Sequence, residues 1–349
     1  MLPTITEVKK EFRYDIAFCR ILAIAVVVIF HCFQKLQLAG NSEKQLSVFG
    51  DTFRFVDFSI ISDFGLPLLV MIAGFLWGKK LEYNPDTTFT RHVISKFKRI
   101  LIPYFIFQVV YLFTVGNFNI SAIFYGKSGH LWFLKAIFWV FIVAYPWKWV
   151  KSKAIRLSIF LCLAAMTFLP YNLPRIFGIG MLKEYLPIFV FGLLISQYES
   201  ELKAAFAKWK ILLIIVGYQL LWQIVIPKAY FDGTIHLNLW MIGILRLVSK
   251  YSILAGVWYI ATLIPWHRMK ESLLNQIAII NDECMGIYLL HLWFVVGAVH
   301  PKVRWIFGGD EILTASPWIT AILFTVLVFI ISHSLTRLSR KNQLGRAIL

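Results

Sequence analysis

The chain is poor in acid, in cysteine and in polar sequence. Of its 349 residues, 18 are Asp or Glu against 35 Lys or Arg, a formal net charge of +17. Its four cysteines, Cys19, Cys32, Cys162 and Cys284, show no paired spacing and all fall inside apolar runs. That excludes a disulfide framework and a cysteine-based metal site, and leaves buried small hydrophobes. No polar stretch exceeds about 20 residues, too few to bury a core, so a soluble domain of useful size is excluded. No small-residue cleavage pattern follows the first apolar run, which carries Arg20 inside it. It is expected to be a retained helix and not a leader.

What is abundant is hydrophobic sequence: 59% of the residues, with a mean hydropathy of +0.72. Apolar stretches of roughly 18 residues or more recur along the chain, as in an all-α, polytopic integral membrane protein forming a single domain over its length in a lipid bilayer. The pattern predicts ten helices, at about 15–36, 57–78, 99–116, 131–147, 154–170, 183–197, 210–227, 237–265, 275–299 and 317–336. The eighth is too long for one span and holds Arg246 and Lys250, so 237–246 could be a half-helix or a surface segment. In a soluble protein the basic excess would suggest nucleic acid; here its position sets orientation, and nucleic acid is not an expected partner. With the N-terminus in the cytoplasm, the inner connections hold 22 Lys and Arg against nine in the outer ones. The bias places both termini inside and requires an even number of spans. Trp132, Trp147, Trp149, Trp240, Trp266 and Trp293 lie near predicted helix ends and read mostly as an interfacial belt. His-Leu-Trp-Phe occurs at 130–133 and again at 291–294, but the flanks do not align and no internal repeat is inferred.

The first helix carries an arginine and a histidine, Arg20 and His31, eleven residues apart. At ~100° per residue that is nearly three turns, so both share one face about 16 Å apart along the axis. Ile24 and Val27 fill the stripe between them. Ionisable side chains within a span usually face a cavity or the bundle interior. Taken singly, Arg20, five residues after Asp15, could snorkel to the interface, and His31 could be a packing histidine. Together they look like a track for an elongated ligand.

Arg20, ten residues, then His31, within RYDIAFCRILAIAVVVIFHCF, resembles the opening signature of the membrane acyltransferase-3 family. Four further stretches are similar to that family's motifs, in order: GLPLLVMIAGFLWGKK at 65–80, KFKRILIPYF at 96–105, GHLWFLKAIF at 129–138 and MGIYLLHLWF at 285–294. A glycine-bearing YLPIFVFGLLI at 185–195 agrees weakly. The chain departs from the family pattern at Ala17, where an aspartate is common, at Ala73, where a serine is, and at Lys96, which with Arg99 replaces an arginine pair.

The resemblance implies a stand-alone bacterial inner-membrane O-acyltransferase that uses an acyl-CoA donor, most often acetyl-CoA, as co-substrate, with no permanently bound cofactor and no metal. The implied acceptor is a hydroxyl of a cell-surface or lipid-linked glycan. His31 is expected as general base and Arg20 as the group that positions the donor, with Lys96, Lys98 and Arg99 available to its phosphates. Plain positive-inside charge accounts equally well for the 91–99 cluster. His130, Trp132, Tyr288 and His291 are expected on the acceptor side, with a capping role open for His130 and a supporting one for His291. Asp63 could orient an imidazole. A polysaccharide exporter or flippase is the alternative from another class.

Overall fold

The structure, a computed structural model, describes residues 12–39, 64–114, 120–124, 129–169, 173–174, 176–207, 209–222, 238–299 and 317–348. Among these residues the secondary structure is helical throughout. In chain order the helices are α1 (Tyr14–Ala39), α2 (Gly65–Tyr83), α3 (Phe89–Lys96), α4 (Ile102–Thr114), α5 (Ile120–Phe124), α6 (Trp132–Val143) and α7 (Lys153–Met166). They continue with α8 (Leu182–Gln197), α9 (Glu199–Phe206), α10 (Trp209–Leu220), α11 (Leu239–Leu263), α12 (Glu271–Val299), α13 (Pro317–Ser339) and α14 (Gln343–Ile348). A helix lies at each of the ten places the hydropathy indicates, with ends shifted by a few residues. The first part of the second, Asp63 included, and the ends of the third and seventh, 115–116 and 223–227, lie outside the described residues.

Among the described residues five helices are long and apolar enough to cross a membrane: Tyr14–Gln34, Ile176–Gln197, Trp240–Arg268, Glu271–Val295 and Ile319–Ser339. The molecule is therefore a helical membrane protein. The segment holding Arg246 and Lys250 is a continuous part of α11 and not a separate half-helix. It is capped by Asn238, whose Oδ1 accepts the Met241 backbone N–H at 2.8 Å.

α1 packs against α12, α2 and α13, and α2 packs along α8. The α2–α8 contact rests on small residues at four-residue spacing, Gly74 and Gly78 on one helix, Gly192 and Ser196 on the other. A side chain on Gly192 would stand 1.9 Å from the Met71 carbonyl oxygen, and one on Gly74 2.0 Å from that of Phe189. In hydrocarbon such close backbone approach replaces the hydrophobic drive as the source of helix association. At one end of this pair lies an ion cluster. Arg13 forks onto Asp15, with contacts of 2.9 and 2.6 Å, and reaches Glu199 at 2.8 Å. Lys203 and Lys79 reach the same Glu199 carboxylate at 2.9 and 3.4 Å. The starts of α1 and α9 and the end of α2 are thereby tied together.

Before α4 the chain widens into a π-helical turn, Phe97–Leu101, in which the Ile102 N–H reaches back to the Phe97 carbonyl. Pro103 lies just beyond. It has no N–H to give, and its ring crowds the carbonyl four residues earlier, so a regular turn is disfavoured there. Arg99 sits in the middle of this turn.

Two expectations are corrected in detail. Cys162 is exposed on α7, while Cys19, Cys32 and Cys284 are buried. Trp147 is not at an open interface: it is 5% exposed and its indole N–H donates to Gln197 Oε1 at 3.3 Å.

Candidate functional site

The stripe on α1 opens onto two cavities. Arg20 and Ile24 line the first, of about 390 Å³, together with Leu69 and Ala73 of α2, Phe133 and Leu134 of α6, and Asn281, Asp282 and Tyr288 of α12. Val27 and His31 line the second, of about 290 Å³, with Leu66 of α2, His130, Trp132, Glu184, Tyr185 and again Tyr288. Both cavities thus run between α1, α2, α6 and α12, and Tyr288 forms a wall of each. At the middle of the stripe Ile24 and Val27 are buried, at 3% and 4% exposure.

The Arg20 cavity is rich in cations. Arg99 reaches it from the π-helical turn, and Arg340 and Arg346 from the C-terminal region. Arg340 is held by Asp282, with 2.5 Å between Nη2 and Oδ2. Four guanidinium groups in one cleft, each with planar donors, suit a multiply charged phosphate ligand. Arg340 and Arg346 were not among the sequence candidates; within a basic C-terminal segment they read only as topology-setting charge.

Lys96 and Lys98 do not line this cavity. Lys98 is exposed. Lys96 turns to the other side of the helix, where its ammonium lies 3.4 Å from the centre of the Phe141 ring and 5.8 Å from that of Trp77. Burial there, with the charges of Arg99 and Lys80 nearby, pushes its pKa down to about 7. The neighbouring His92 packs at a tilt against Trp77, 4.3 Å between centroids, and its Nε2 lies 3.1 Å from the Phe141 carbonyl. Burial outweighs that hydrogen bond and brings its pKa to about 4, so it is neutral at physiological pH.

The second cavity is built around three imidazoles. The ring of His31 lies 5.3 Å from that of His291 and 6.5 Å from that of His130, which are 4.9 Å from each other. The backbone selects their tautomers. His291 Nδ1 faces the carbonyls of Tyr288 at 2.8 Å and Ile287 at 3.2 Å, so it carries the proton and donates. His130 Nε2 likewise donates to the Leu289 carbonyl at 3.3 Å. The other nitrogens, His291 Nε2 and His130 Nδ1, are buried and have no hydrogen-bond partner among the described residues. The Tyr288 hydroxyl donates to the His130 carbonyl, joining α12 to the turn before α6. Trp132 completes the wall, 6.0 Å from Tyr185 between ring centres.

The structure therefore gathers His31, His130, Trp132, Tyr288 and His291 at one place, and Arg20 with Arg99 at another on the same stripe. Lys135, one turn beyond Trp132, is not with them: its ammonium lies 5.4 Å from the centre of Tyr104 and 5.7 Å from that of Phe177. Glu184, a member of the His31 cavity, was absent from the sequence reading; a glutamate at a helix start gives no signal of its own. Among the described residues no group of His, Cys, Asp and Glu is placed to hold a metal ion.

No curated protein and no solved structure matches the chain significantly. A family model does, over residues 13–337: Acyl_transf_3, described as an acyltransferase domain. That match takes in nearly every described helix, the whole lining of the His31 cavity and that of the Arg20 cavity apart from Arg340 and Arg346, and on it the chain belongs to the acyltransferase-3 family.

Proposed function

We propose that the protein transfers an acyl group, acetyl in the simplest case, from cytoplasmic acyl-CoA to a hydroxyl of a cell-surface or lipid-linked glycan. In this reading ten spans cross the bacterial inner membrane with both termini in the cytoplasm, and the Arg20 cavity opens inward. The nucleotide end of the donor, with its phosphates, lies among Arg20, Arg99, Arg340 and Arg346. Its pantetheine arm follows the Ile24–Val27 stripe past Tyr288, and the thioester stands at His31. The span between Arg20 and His31, about 16 Å for eleven residues of helix, suits a ligand charged at one end and reactive at the other.

His31 takes the proton of the acceptor hydroxyl as its oxygen attacks the thioester carbon. The tetrahedral intermediate collapses with loss of the C–S bond. The departing thiolate takes up the proton from the imidazolium, which returns His31 to its neutral form. The two neighbouring imidazoles, each donating to a backbone carbonyl, keep the surroundings of His31 polar. Trp132 and Tyr185 supply flat faces of the kind that pack on sugar rings.

The observation that carries the reading is that one stripe of one helix lines two cavities, cationic at one end and imidazole-lined at the other, with Tyr288 common to both. The test is turnover of labelled acetyl-CoA by the purified protein in nanodiscs. His31→Ala abolishes it while leaving the elution profile unchanged; wild-type turnover in that variant refutes the assignment.

A further inference from the structure

The Arg20 cavity does not end at its arginines. A further cleft of about 350 Å³ adjoins it, and Asp282, Arg340 and Arg346 line both. The outer cleft adds Glu283 of α12, Arg337 of α13 and Lys341. Four cations there face two carboxylates, and each carboxylate has its own neighbour. Asp282 Oδ2 lies 2.5 Å from Arg340 Nη2, and Glu283 Oε2 lies 2.5 Å from His333 Nδ1. Arg337, Lys341 and Arg346 have no ion-pair partner among the described residues.

Local structure builds this cleft. The chain turns back after α13, where the Lys341 N–H donates to the Leu338 carbonyl and the Asn342 N–H to that of Ser339, each at 3.2 Å. α14 then lies against the end of α13, because Gly345 brings no side chain to the turn; a Cβ there would stand 1.9 Å from the Ser339 carbonyl oxygen. The Arg346 Nε–H donates to the Arg340 carbonyl at 2.8 Å, which fixes the side chain beside Arg340 and leaves its terminal N–H groups for a ligand.

An acyl-CoA donor carries its charge in two places. The pantetheine arm is joined to the 5′-pyrophosphate, and a phosphomonoester stands at the 3′ position of the ribose, one sugar further along the chain of bonds. At neutral pH a phosphomonoester bears about −1.5 to −2 charges. Along the ligand the order is thioester, arm, pyrophosphate, 3′-phosphate. Along the protein it is His31, the Ile24–Val27 stripe, Arg20 with Arg99, then the outer cleft. We propose that the outer cleft is a separate subsite for the ribose 3′-phosphate, formed by Arg337, Lys341 and the outer sides of Arg340 and Arg346, so that the protein distinguishes coenzyme A from its 3′-dephospho form. The inference rests on the acyl-CoA reading of the Arg20 cavity. The arginines grip the phosphate through planar N–H donors and Lys341 acts as a point charge.

The test uses the full-length protein in phosphatidylcholine nanodiscs, titrated calorimetrically with coenzyme A and with 3′-dephospho-coenzyme A. Coenzyme A binds about tenfold more tightly. The Arg337→Gln, Lys341→Gln double variant loses that preference, while Arg337→Lys, Lys341→Arg retains it. Equal affinity for the two nucleotides in the wild type, or a preference that survives the double glutamine variant, overturns the subsite alone. So does a preference that disappears when phosphatidylglycerol is added to the nanodisc, because the cations would then serve a lipid headgroup. Failure of both nucleotides to bind refutes the acyl-CoA reading and the subsite with it.

Discussion

Replacing Gly192 by alanine should unseat α2 from α8. The added methyl would stand 1.9 Å from the Met71 carbonyl oxygen and 2.9 Å from the Phe75 amide nitrogen, where real contacts of this kind stay beyond 3.0 Å. Both neighbours are backbone, so no side chain can rotate away and the helices must part. Overpacking of this kind costs about 3 kcal/mol when nothing yields, and alanine returns about 1 kcal/mol through its better helix propensity. The net expectation is a loss of about 2 kcal/mol. Gly217→Ala is the matched control: nothing lies within 4 Å of its added methyl, so only the propensity gain remains. The two variants should therefore differ by about 3 kcal/mol in unfolding free energy. The assay is reversible unfolding in mixed micelles over a range of SDS fraction, followed by tryptophan fluorescence. Leu69 and Ala73 on α2 wall the Arg20 cavity, so Gly192→Ala should also weaken acetyl-CoA binding. Coincident unfolding curves for the two alanine variants would refute the close-packing argument.

Three further outcomes are expected. Arg99→Gln should weaken acetyl-CoA binding about tenfold, roughly 1.4 kcal/mol, while Lys98→Gln leaves it unchanged; equal effects in a calorimetric titration would place the phosphates elsewhere. Burial raises the Glu199 carboxyl pKa, but the hydrogen bonds and charges of Arg13 and Lys203 more than reverse this and hold it at about 2, below the ordinary 4.5. Its stabilising contribution is then complete above pH 4.5 and is lost as pH falls from 4.5 toward 2, so wild type and Glu199→Gln should differ in unfolding midpoint at neutral pH and converge in acid; a gap that does not narrow contradicts this. Tyr288→Phe removes the hydroxyl donated to the His130 carbonyl and should cost about 1 kcal/mol of stability with little change in donor affinity, whereas Tyr288→Ala, which removes the wall shared by both cavities, should impair donor binding as well.

Hydropathy located the helices because hydrocarbon demands that every backbone polar group be satisfied within its own segment. It located their ends less well. α6 is 12 residues long, shorter than its apolar run, because a 3-10 turn at Tyr145–Trp149 ends it. The four-residue spacing of Gly74 with Gly78 and of Gly192 with Ser196 is visible in the chain, but which helix meets which is a tertiary fact. The Arg20–His31 stripe was legible because helical geometry alone puts both on one face. Lys96 and Arg99 show the opposite case: three residues apart, they look like one cluster, yet the π-helical turn between Phe97 and Leu101 sends Arg99 to the cavity and leaves Lys96 on the Phe141 ring. Arg340 and Arg346 were illegible because charge near a membrane has an ordinary topological cause, and only the approach of the C-terminal region to α12 brings them to the cavity.

In the proposed reading Arg20 binds the donor and His31 does the chemistry, a division of labour along α1. Acetyl-CoA affinity and turnover, measured together for Arg20→Gln and His31→Gln in nanodiscs, test it. Arg20→Gln should weaken binding about tenfold or more, and His31→Gln should leave binding within twofold while turnover falls about a hundredfold or more. Unchanged donor affinity in Arg20→Gln, or turnover retained in His31→Gln, would contradict a donor lying between these two residues.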